Sequence, residues 1–129
     1  LEAGLVQDAL QKLDLDAMDL LFIENVGNLV CPSNYDLGEA LKVVVLSTTE
    51  GDDKPLKYPA MFHNSSVLII NKIDLLPYLK FDLDALKNYG RKVNPEMEFI
   101  ELSCTSGAGL SQWYDWLKKE KLQEHAVLV

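Results

Sequence analysis

Residues 67–74 read Val-Leu-Ile-Ile-Asn-Lys-Ile-Asp, an apolar run that ends in a short polar group. A continuous apolar run of this length is typical of a strand buried on both faces of a parallel sheet. The polar residues then lie at the carboxyl end of that strand, where open α/β sheets bind their ligands. The stretch therefore predicts a parallel α/β sheet with a ligand site at this edge.

The polar group Asn71-Lys72-Ile73-Asp74 has the pattern Asn-Lys-x-Asp, with which GTP-binding domains recognise guanine. The Asp74 carboxylate can accept the N1–H and N2–H2 donors of guanine as a charge-assisted pair, and adenine offers no such pair. The Asn71 amide can reach the N7/O6 side and tie the loop to neighbouring strand ends, while the Lys72 stem lies along the base plane. The alternative is an ordinary polar loop after a strand.

A second strand and loop follow at the expected place. Phe99–Leu102 is typical of another buried strand and leads into Ser-Cys-Thr-Ser-Gly-Ala-Gly at 103–109, a tight polar loop before a helix. The backbone N–H groups of Ser103, Cys104 and Thr105 can face the guanine O6. An ordinary glycine-bearing connection would explain the loop equally well, and the Cys104 side chain is expected to pack rather than to contact the base.

Composition limits the possible partners. The chain has 129 residues, of which 48% are hydrophobic, enough for one domain with a sizeable core and no run that could cross a membrane. Twelve basic against 20 acidic residues give a net charge of −8, which disfavours nucleic acid and anionic membranes as partners. Two cysteines form no disulfide framework, and no signal peptide is recognisable, so a cytoplasmic location is expected.

Helical and strand patterns alternate along the chain, which predicts a mostly parallel sheet with flanking helices. The predicted elements are a helix around Leu5–Leu13, a buried strand at Leu20–Ile23, a strand at Lys42–Leu46, a short helix at Pro55, a helix at Asp82–Val93 and a last helix from Leu110.

Several side chains invite a functional interpretation but are expected to be structural. Trp113 and Trp116 predict a core anchor rather than a stacking platform. His63 and His125 are interpreted as surface or capping histidines. The acidic pairs Asp52/Asp53 and Asp82/Asp84 are interpreted as solvated charge, with Asp82 also a candidate N-cap.

The predicted strand at Leu20–Ile23 ends in Glu24, and Gly27 follows three positions later. A carboxylate here can hold a metal-bound water, and the Gly27 N–H can approach a terminal phosphate because no side chain intervenes. Common GTPases have Asp at the first position. The longer Glu24 arm favours a water-mediated contact over direct ligation of Mg²⁺.

The residues of these motifs closely resemble those of HypB, the GTPase that assists nickel delivery during maturation of [NiFe]-hydrogenase. The resemblance rests on Glu24–Pro32, Tyr35–Glu39, Lys57–Pro59, Asn71–Tyr78 and Ser106–Trp116. It implies a P-loop NTPase (SIMIBI-type) G domain that uses GTP or GDP and Mg²⁺. It also implies hydrogenase maturation proteins and the hydrogenase large subunit as partners.

HypB proteins carry a phosphate loop, Gly-x-x-x-x-Gly-Lys-[Ser/Thr], that these 129 residues do not contain. The resemblance therefore implies that residues 1–129 form a partial GTP-binding domain, truncated at its N-terminus and lacking the first strand and the Walker A loop. Because phosphoryl transfer depends on that loop for positioning and charge, negligible hydrolysis is expected from this chain alone. The strand order of the family also predicts unpaired sheet edges and exposed apolar surface.

The resemblance changes the interpretation of two further features, Cys31 and the apolar run after Asp74. Cys31 alone would suggest a small buried apolar residue, whereas the HypB pattern implies a nickel or zinc ligand. The apolar run after Asp74 would suggest a buried turn under the next helix, whereas the HypB pattern implies that Leu75 and Leu79 contribute to a homodimer contact.

Two other functions compete with the HypB interpretation. A Ras-like or urease-type accessory GTPase would share Asn-Lys-x-Asp without needing the Val-Cys-Pro extension at residues 30–32. A chain that no longer turns over nucleotide could act only as a dimerisation or docking module.

Overall fold

The central sheet has three parallel strands in the order β1-β2-β3. A computed structural model of the chain describes residues 3–25, 27, 29 and 37–124. The strands are β1 (Val43–Ser47), β2 (Val67–Asn71) and β3 (Glu98–Glu101), and the helices are α1 (Ala3–Leu10), α2 (Lys54–Lys57), α3 (Pro59–His63), α4 (Leu83–Val93) and α5 (Leu110–Glu124). Short 3-10 helices cover Leu15–Ala17, Thr48–Glu50 and Ile73–Tyr78. The predicted α/β architecture is confirmed.

Strand β2 is the centre of the sheet because both of its neighbours pair with it. Its residues Val67 to Ile70 are all buried, as the continuous apolar run predicted. Along the strand, Leu68 and Ile70 enter the apolar cluster under α3 and α4, whereas Val67 and Ile69 enter the cluster under α5. Alternation of side chains along a strand thus builds one core on each face of the sheet.

Helix α5 covers its face of the sheet with two tryptophans. The Trp113 and Trp116 rings stack with centroids 5.4 Å apart, and Trp116 is buried while its Nε1 donates to Glu98 Oε1 at 3.1 Å. This satisfies the indole N–H inside an apolar layer. The prediction that the pair anchors the core is confirmed.

The first strand forms one edge of the sheet, and apolar surface is exposed there. Val43 and Val45 are 37% and 57% exposed.

The predicted buried strand at Leu20–Ile23 is wrong, since these residues have no regular structure and all four are exposed. A buried strand needs a neighbour for its backbone groups as well as apolar side chains, and the described part of the chain gives this segment no such neighbour.

Side chains contact both ends of helix α4, and the sequence predicted the one at its N-terminus. Asp82 is the N-cap, and its Oδ1 accepts from the Ala85 N–H at 2.8 Å. At the other end, His63 Nδ1 lies 3.2 Å from the Val93 carbonyl oxygen, which confirms the capping interpretation of His63. His125 lies outside the described residues. No helix in the described ranges is long and apolar enough to cross a bilayer.

Asn94 ends α4 and joins it to the connection that leads into β2. Its Nδ2 donates to the carbonyl oxygens of Ser65 at 2.8 Å and of Phe62 and His63 at 3.2 Å. Its Oδ1 accepts from the Glu96 N–H at 3.1 Å. The Asn94 amide therefore links the connection between α4 and β3 to the connection between α3 and β2.

We expect Asn94→Asp to lower the free energy of unfolding by about 1–3 kcal/mol at neutral pH, because a carboxylate oxygen would replace the donor that faces three carbonyl oxygens. That setting raises the carboxyl pKa in the folded state above its unfolded value. The loss is therefore fully present above the folded pKa and shrinks as the pH falls through it, towards about 4. Urea unfolding at a series of pH values measures this.

Asn64→Asp is the matched control for Asn94→Asp. Asn64 is exposed, and its side chain makes no hydrogen bond within the described ranges. The substitution Asn64→Asp adds the same negative charge at a position where the carboxylate does not face carbonyl oxygens. Equal losses from the two substitutions would show that net charge, and not the lost donor, causes the effect.

Candidate functional site

The carboxyl ends of the three strands bring the predicted base-recognition residues to one edge of the sheet. Ser47 of β1 lies in register with Asn71 of β2, and Ile70 with Glu101 of β3. The Leu102 N–H continues this pairing by donating to the Ile70 carbonyl at 2.9 Å. The loops that follow β1, β2 and β3 therefore emerge side by side.

Asn71 joins two of these loops through one oxygen. Its Oδ1 accepts from the Lys72 N–H at 2.7 Å and from the Cys104 N–H at 3.3 Å. The second contact links residues 33 positions apart. Asn71 therefore ties its own loop to the end of the neighbouring strand, and its Nδ2 group makes no hydrogen bond to another described residue.

Lys72 has an unusual backbone conformation. Its φ and ψ are 64° and 38°, and among the described residues it is the only one other than glycine with a positive φ. This conformation costs about 1–2 kcal/mol for a residue with a Cβ. Two hydrogen bonds offset the cost: the Thr48 hydroxyl donates to the Lys72 carbonyl at 2.9 Å, and the Ile73 N–H donates to the Leu102 carbonyl at 3.3 Å.

Asp74 lies in the first turn of the 3-10 helix Ile73–Tyr78 and is exposed. Its carboxylate makes no hydrogen bond or ion pair with any other described residue. An ionised carboxylate only accepts hydrogen bonds. Asp74 is therefore a solvent-facing carboxylate whose acceptor sites are not used by the described residues.

The loop 103–109 is held mainly by its own hydrogen bonds. Ser103 is fully buried; its N–H donates to the Ala108 carbonyl at 2.8 Å, and its Oγ accepts from the Ser106 N–H at 3.1 Å. The Gly107 and Ala108 N–H groups also donate within the loop. Of residues 103–108, only the Thr105 N–H has no acceptor among the described residues.

The structure therefore changes two predictions for this loop. The Ser103 N–H does not face the base site, because it closes the loop on itself. Cys104 was expected to pack, but it is exposed with a free thiol, and that expectation is wrong because Ser103 fills the buried position instead. Of the predicted set, the Cys104 N–H donates to Asn71 Oδ1, and only the Thr105 N–H has no acceptor among the described residues.

The residues predicted for phosphate chemistry are not gathered at this edge by a strand. Glu24 and Gly27 are both exposed and neither lies in a helix or a strand, because the strand expected to lead into them does not form. Cys31 lies outside the described residues. Within the described ranges, no group of three or more His, Cys, Asp or Glu residues could hold a metal ion.

The apolar run after Asp74 is only partly covered. Leu75 and Leu79 are half-buried, and Tyr78 between them is 83% exposed. The run is therefore neither a fully buried turn nor a free surface.

Two residues at this edge were missed by the sequence analysis. Thr48 is buried and bonds Lys72, as described above. Asp52, interpreted as solvated charge, accepts from the Asp82 N–H at 2.9 Å through its Oδ2, and that interpretation is wrong. Its neighbour Asp53 is a surface charge, paired with Lys57 at 2.7 Å, and this hydrogen bond holds the pKa of Asp53 below its ordinary value.

A sequence signal for this segment was present. Ser47-Thr48-Thr49-Glu50 fits the Ser/Thr-x-x-Glu pattern of a capping box. The structure forms that box: the Ser47 N–H donates to Glu50 Oε1 at 2.9 Å, and the Ser47 Oγ accepts from the Thr49 N–H at 3.3 Å. The pattern predicts the turn after β1, although not its partners at Lys72 and Asp82.

Comparison with protein families gives a match over residues 3–101 to the family described as "CobW/HypB/UreG, nucleotide-binding domain". Among characterised relatives, the hydrogenase maturation factor HypB of Escherichia coli K12 is 55% identical over 121 residues. That alignment covers 94% of this chain but 42% of the relative. The chain thus spans less than half the length of that protein.

Two solved structures have the same fold. The crystal structure of the hydrogenase maturation factor HypB from Archaeoglobus fulgidus superposes with a TM-score of 0.85 at 39% identity, covering 92% of this chain and 62% of that one. The crystal structure of HypB from Helicobacter pylori in complex with nickel gives a TM-score of 0.89 at 38% identity, covering 96% and 60%.

The glycines of loop 103–109 provide a test of its geometry. Gly109 has a φ of +75°, and a Cβ there would lie 2.0 Å from the Glu101 carbonyl oxygen. We expect Gly109→Ala to move β3 or the loop and to reduce the free energy of unfolding by about 1–3 kcal/mol beyond the cost of the positive φ itself. Urea unfolding measures the change.

Gly107→Ala separates the two contributions. Gly107 has a φ of +81°, but a Cβ there meets nothing within 4 Å. It should show only the conformational cost of about 1–2 kcal/mol. Equal destabilisation by the two substitutions would contradict the close approach of Gly109 to β3.

Proposed function

The chain belongs to the CobW/HypB/UreG nucleotide-binding domain family, and from that membership we propose that it binds guanine nucleotides at the carboxyl edge of its sheet. Its resemblance to HypB is confirmed by the relatives described above. The observation that carries the proposal is the open Asp74 carboxylate, presented by a loop that Asn71 ties to the end of β3.

The arrangement suits guanine better than adenine. Asp74 can accept from the N1–H and N2–H2 groups, and the Thr105 N–H, which has no acceptor among the described residues, can donate to O6. Adenine carries a donor at that last position and no N1–H. A charge-assisted pair to Asp74 therefore supplies both affinity and base selectivity.

We further propose that the protein handles GTP and Mg²⁺, with Glu24 and Gly27 near the terminal phosphate, and hydrolyses GTP as its family does. Support comes from the family match and from the location of Asn71, Lys72 and Asp74 at the carboxyl end of β2. Because these 129 residues contain no Gly-x-x-x-x-Gly-Lys-[Ser/Thr] sequence, hydrolysis by this chain alone is expected to be negligible.

The biological role we propose is nickel insertion into [NiFe]-hydrogenase, in cooperation with hydrogenase maturation proteins and the hydrogenase large subunit. The names of the relatives support this role, as does the nickel complex of the Helicobacter pylori HypB. Cys31 is the proposed ligand for Ni²⁺ or Zn²⁺, since a thiolate suits both ions.

A homodimer is also proposed, with Leu75 and Leu79 in the contact. Both leucines are half-buried, and the strongly exposed Tyr78 lies between them. They follow Asp74 directly, so the proposed base site and dimer contact share one short segment.

The guanine assignment predicts the effect of Asp74→Asn. We expect calorimetric titration of the purified chain to show saturable GDP binding and no matching ADP binding, and Asp74→Asn to weaken GDP binding about 10–100-fold through loss of a charged hydrogen-bond pair. Xanthosine diphosphate has a carbonyl where guanine has its 2-amino group, and the Asn amide can donate to it. The variant should therefore favour xanthosine diphosphate over GDP.

Asp84→Asn is the matched control, because Asp84 is an exposed acid in the first turn of α4. It removes the same charge 10 positions away without touching the proposed base site. If GDP and ADP bind the unaltered chain equally, or if Asp74→Asn behaves like Asp84→Asn, the guanine assignment is wrong.

The dimer assignment predicts that Leu75→Ala combined with Leu79→Ala weakens self-association about tenfold or more, because both side chains lose apolar contact area. Sedimentation velocity over a concentration series, with GDP present, measures the change. GDP affinity should stay within twofold. Leu56→Ala combined with Leu122→Ala removes two exposed leucines from α2 and α5; a dimer constant equally affected by both pairs would rule out a specific contact.

A further inference from the structure

The segment that carries the proposed base reader is attached at both of its ends to one other segment. Residues 72–82, which we name the reader segment, connect β2 to α4 and contain Asp74. Residues 48–52, which we name the clamp segment, connect β1 to α2. The clamp segment bonds the reader segment once at Lys72 and once at Asp82.

The first attachment lies beside the base reader. Thr48 is 2% exposed, and its hydroxyl donates to the Lys72 carbonyl across 24 positions of sequence. Lys72 is the residue with the left-handed backbone, so this hydrogen bond stabilises the turn that sends the chain from β2 into the 3-10 helix. Asp74 comes two residues later, within the first turn of that helix.

The second attachment lies at the far end of the reader segment. Asp52 Oδ2 accepts from the Asp82 N–H at 2.9 Å, 30 positions away. Asp82 in turn caps α4 through the Ala85 N–H. Asp52 thus fixes the point at which the reader segment joins α4.

The clamp segment has a defined shape of its own. Its first residues form the 3-10 helix Thr48–Glu50, and the capping box between Ser47 and Glu50 closes that turn. A segment fixed in this way can hold another in place, because its own ordering does not depend on a ligand.

We propose that Thr48 and Asp52 are positioning residues for base recognition, which hold the reader segment so that the Asp74 carboxylate meets the guanine edge. The proposal rests on the guanine site proposed above and adds to it two residues that do not touch the nucleotide. The Thr48 hydroxyl is buried and engaged with Lys72. Asp52 bonds Asp82, at the opposite end of the reader segment from Asp74.

The test compares GDP with inosine diphosphate, which lacks the 2-amino group, and with ADP as the unrelated base. In the unaltered chain, the ratio of GDP to inosine diphosphate affinity measures how well the carboxylate meets both guanine donors. We expect Thr48→Val, which keeps shape but removes the hydroxyl, to weaken GDP binding about tenfold, equivalent to one net hydrogen bond. The ratio should fall with it.

Rescue and control variants complete the experiment. Thr48→Ser keeps the donor and should restore both affinity and ratio to within about twofold. Asp52→Ala should weaken GDP binding about threefold to tenfold. The effect is smaller because this variant frees only the Asp82 end of the reader segment and leaves the attachment at Lys72 in place.

Two control variants are expected to leave binding within about twofold. Ser66→Ala removes a hydroxyl that makes no hydrogen bond within the described ranges and lies just before β2, at the opposite end of that strand from the site. Asp53→Ala removes the half-buried neighbour of Asp52, which pairs with Lys57 and not with the reader segment.

Each result has a distinct meaning, with circular dichroism confirming that every variant is folded at the titration temperature. If the unaltered chain does not prefer GDP to ADP, the proposed function is wrong, and this inference fails with it. If the unaltered chain is selective but Thr48→Val and Asp52→Ala bind GDP as the two control variants do, the inference alone is wrong. Equal weakening of GDP and inosine diphosphate by Thr48→Val would show a purely structural role and would also overturn it.

Discussion

Parallel pairing of β2 with β1 and β3 is the constraint on which the rest of the structure depends. Because all three strands run the same way, their carboxyl ends and the loops that follow them meet at one edge. The register that places Ser47 beside Asn71 also brings the Thr48 hydroxyl within reach of the Lys72 carbonyl. The Asn71 amide reaches the loop after β3 for the same reason. The site therefore depends on strand register before it depends on any single side chain.

The sequence predicted the three strands that pair, and it failed at the one that does not. Val67–Ile70 and Leu20–Ile23 are both runs of four apolar residues, yet the first is fully buried and the second exposed. An apolar run identifies side chains that gain from burial, but a strand also needs neighbours for its N–H and C=O groups, and the local sequence does not contain that information. Local signals predicted helix α4 well, since Asp82 caps it and it ends at Val93. The first helix, predicted around Leu5–Leu13, spans Ala3–Leu10 instead.

The candidate site shows the same division between local and distant information. Asn71 and Asp74 were identified because a guanine-reading motif is contiguous in sequence. Thr48 and Asp52 were missed because their partners lie 24 and 30 positions away, and nothing in a threonine or an aspartate shows which distant backbone group it will bond. The burial of Ser103 in place of Cys104 has a similar cause. The Ser103 hydroxyl accepts a hydrogen bond inside the loop, whereas the Cys104 thiol beside it does not and stays exposed.

The proposed base site and dimer contact share the segment between Lys72 and Asp82, and its attachments limit how one could affect the other. Both ends are held by the segment after β1, so a rearrangement on nucleotide binding that keeps both attachments must occur within residues 73–81. A 3-10 helix has poorer hydrogen-bond geometry than an α-helix, and Pro77 supplies no N–H within it. Asp74 and Leu75 are consecutive in that helix, so a shift of one moves the other. By linkage, any preference of guanine for one conformation of this helix changes dimer affinity by the same factor as dimerisation changes guanine affinity.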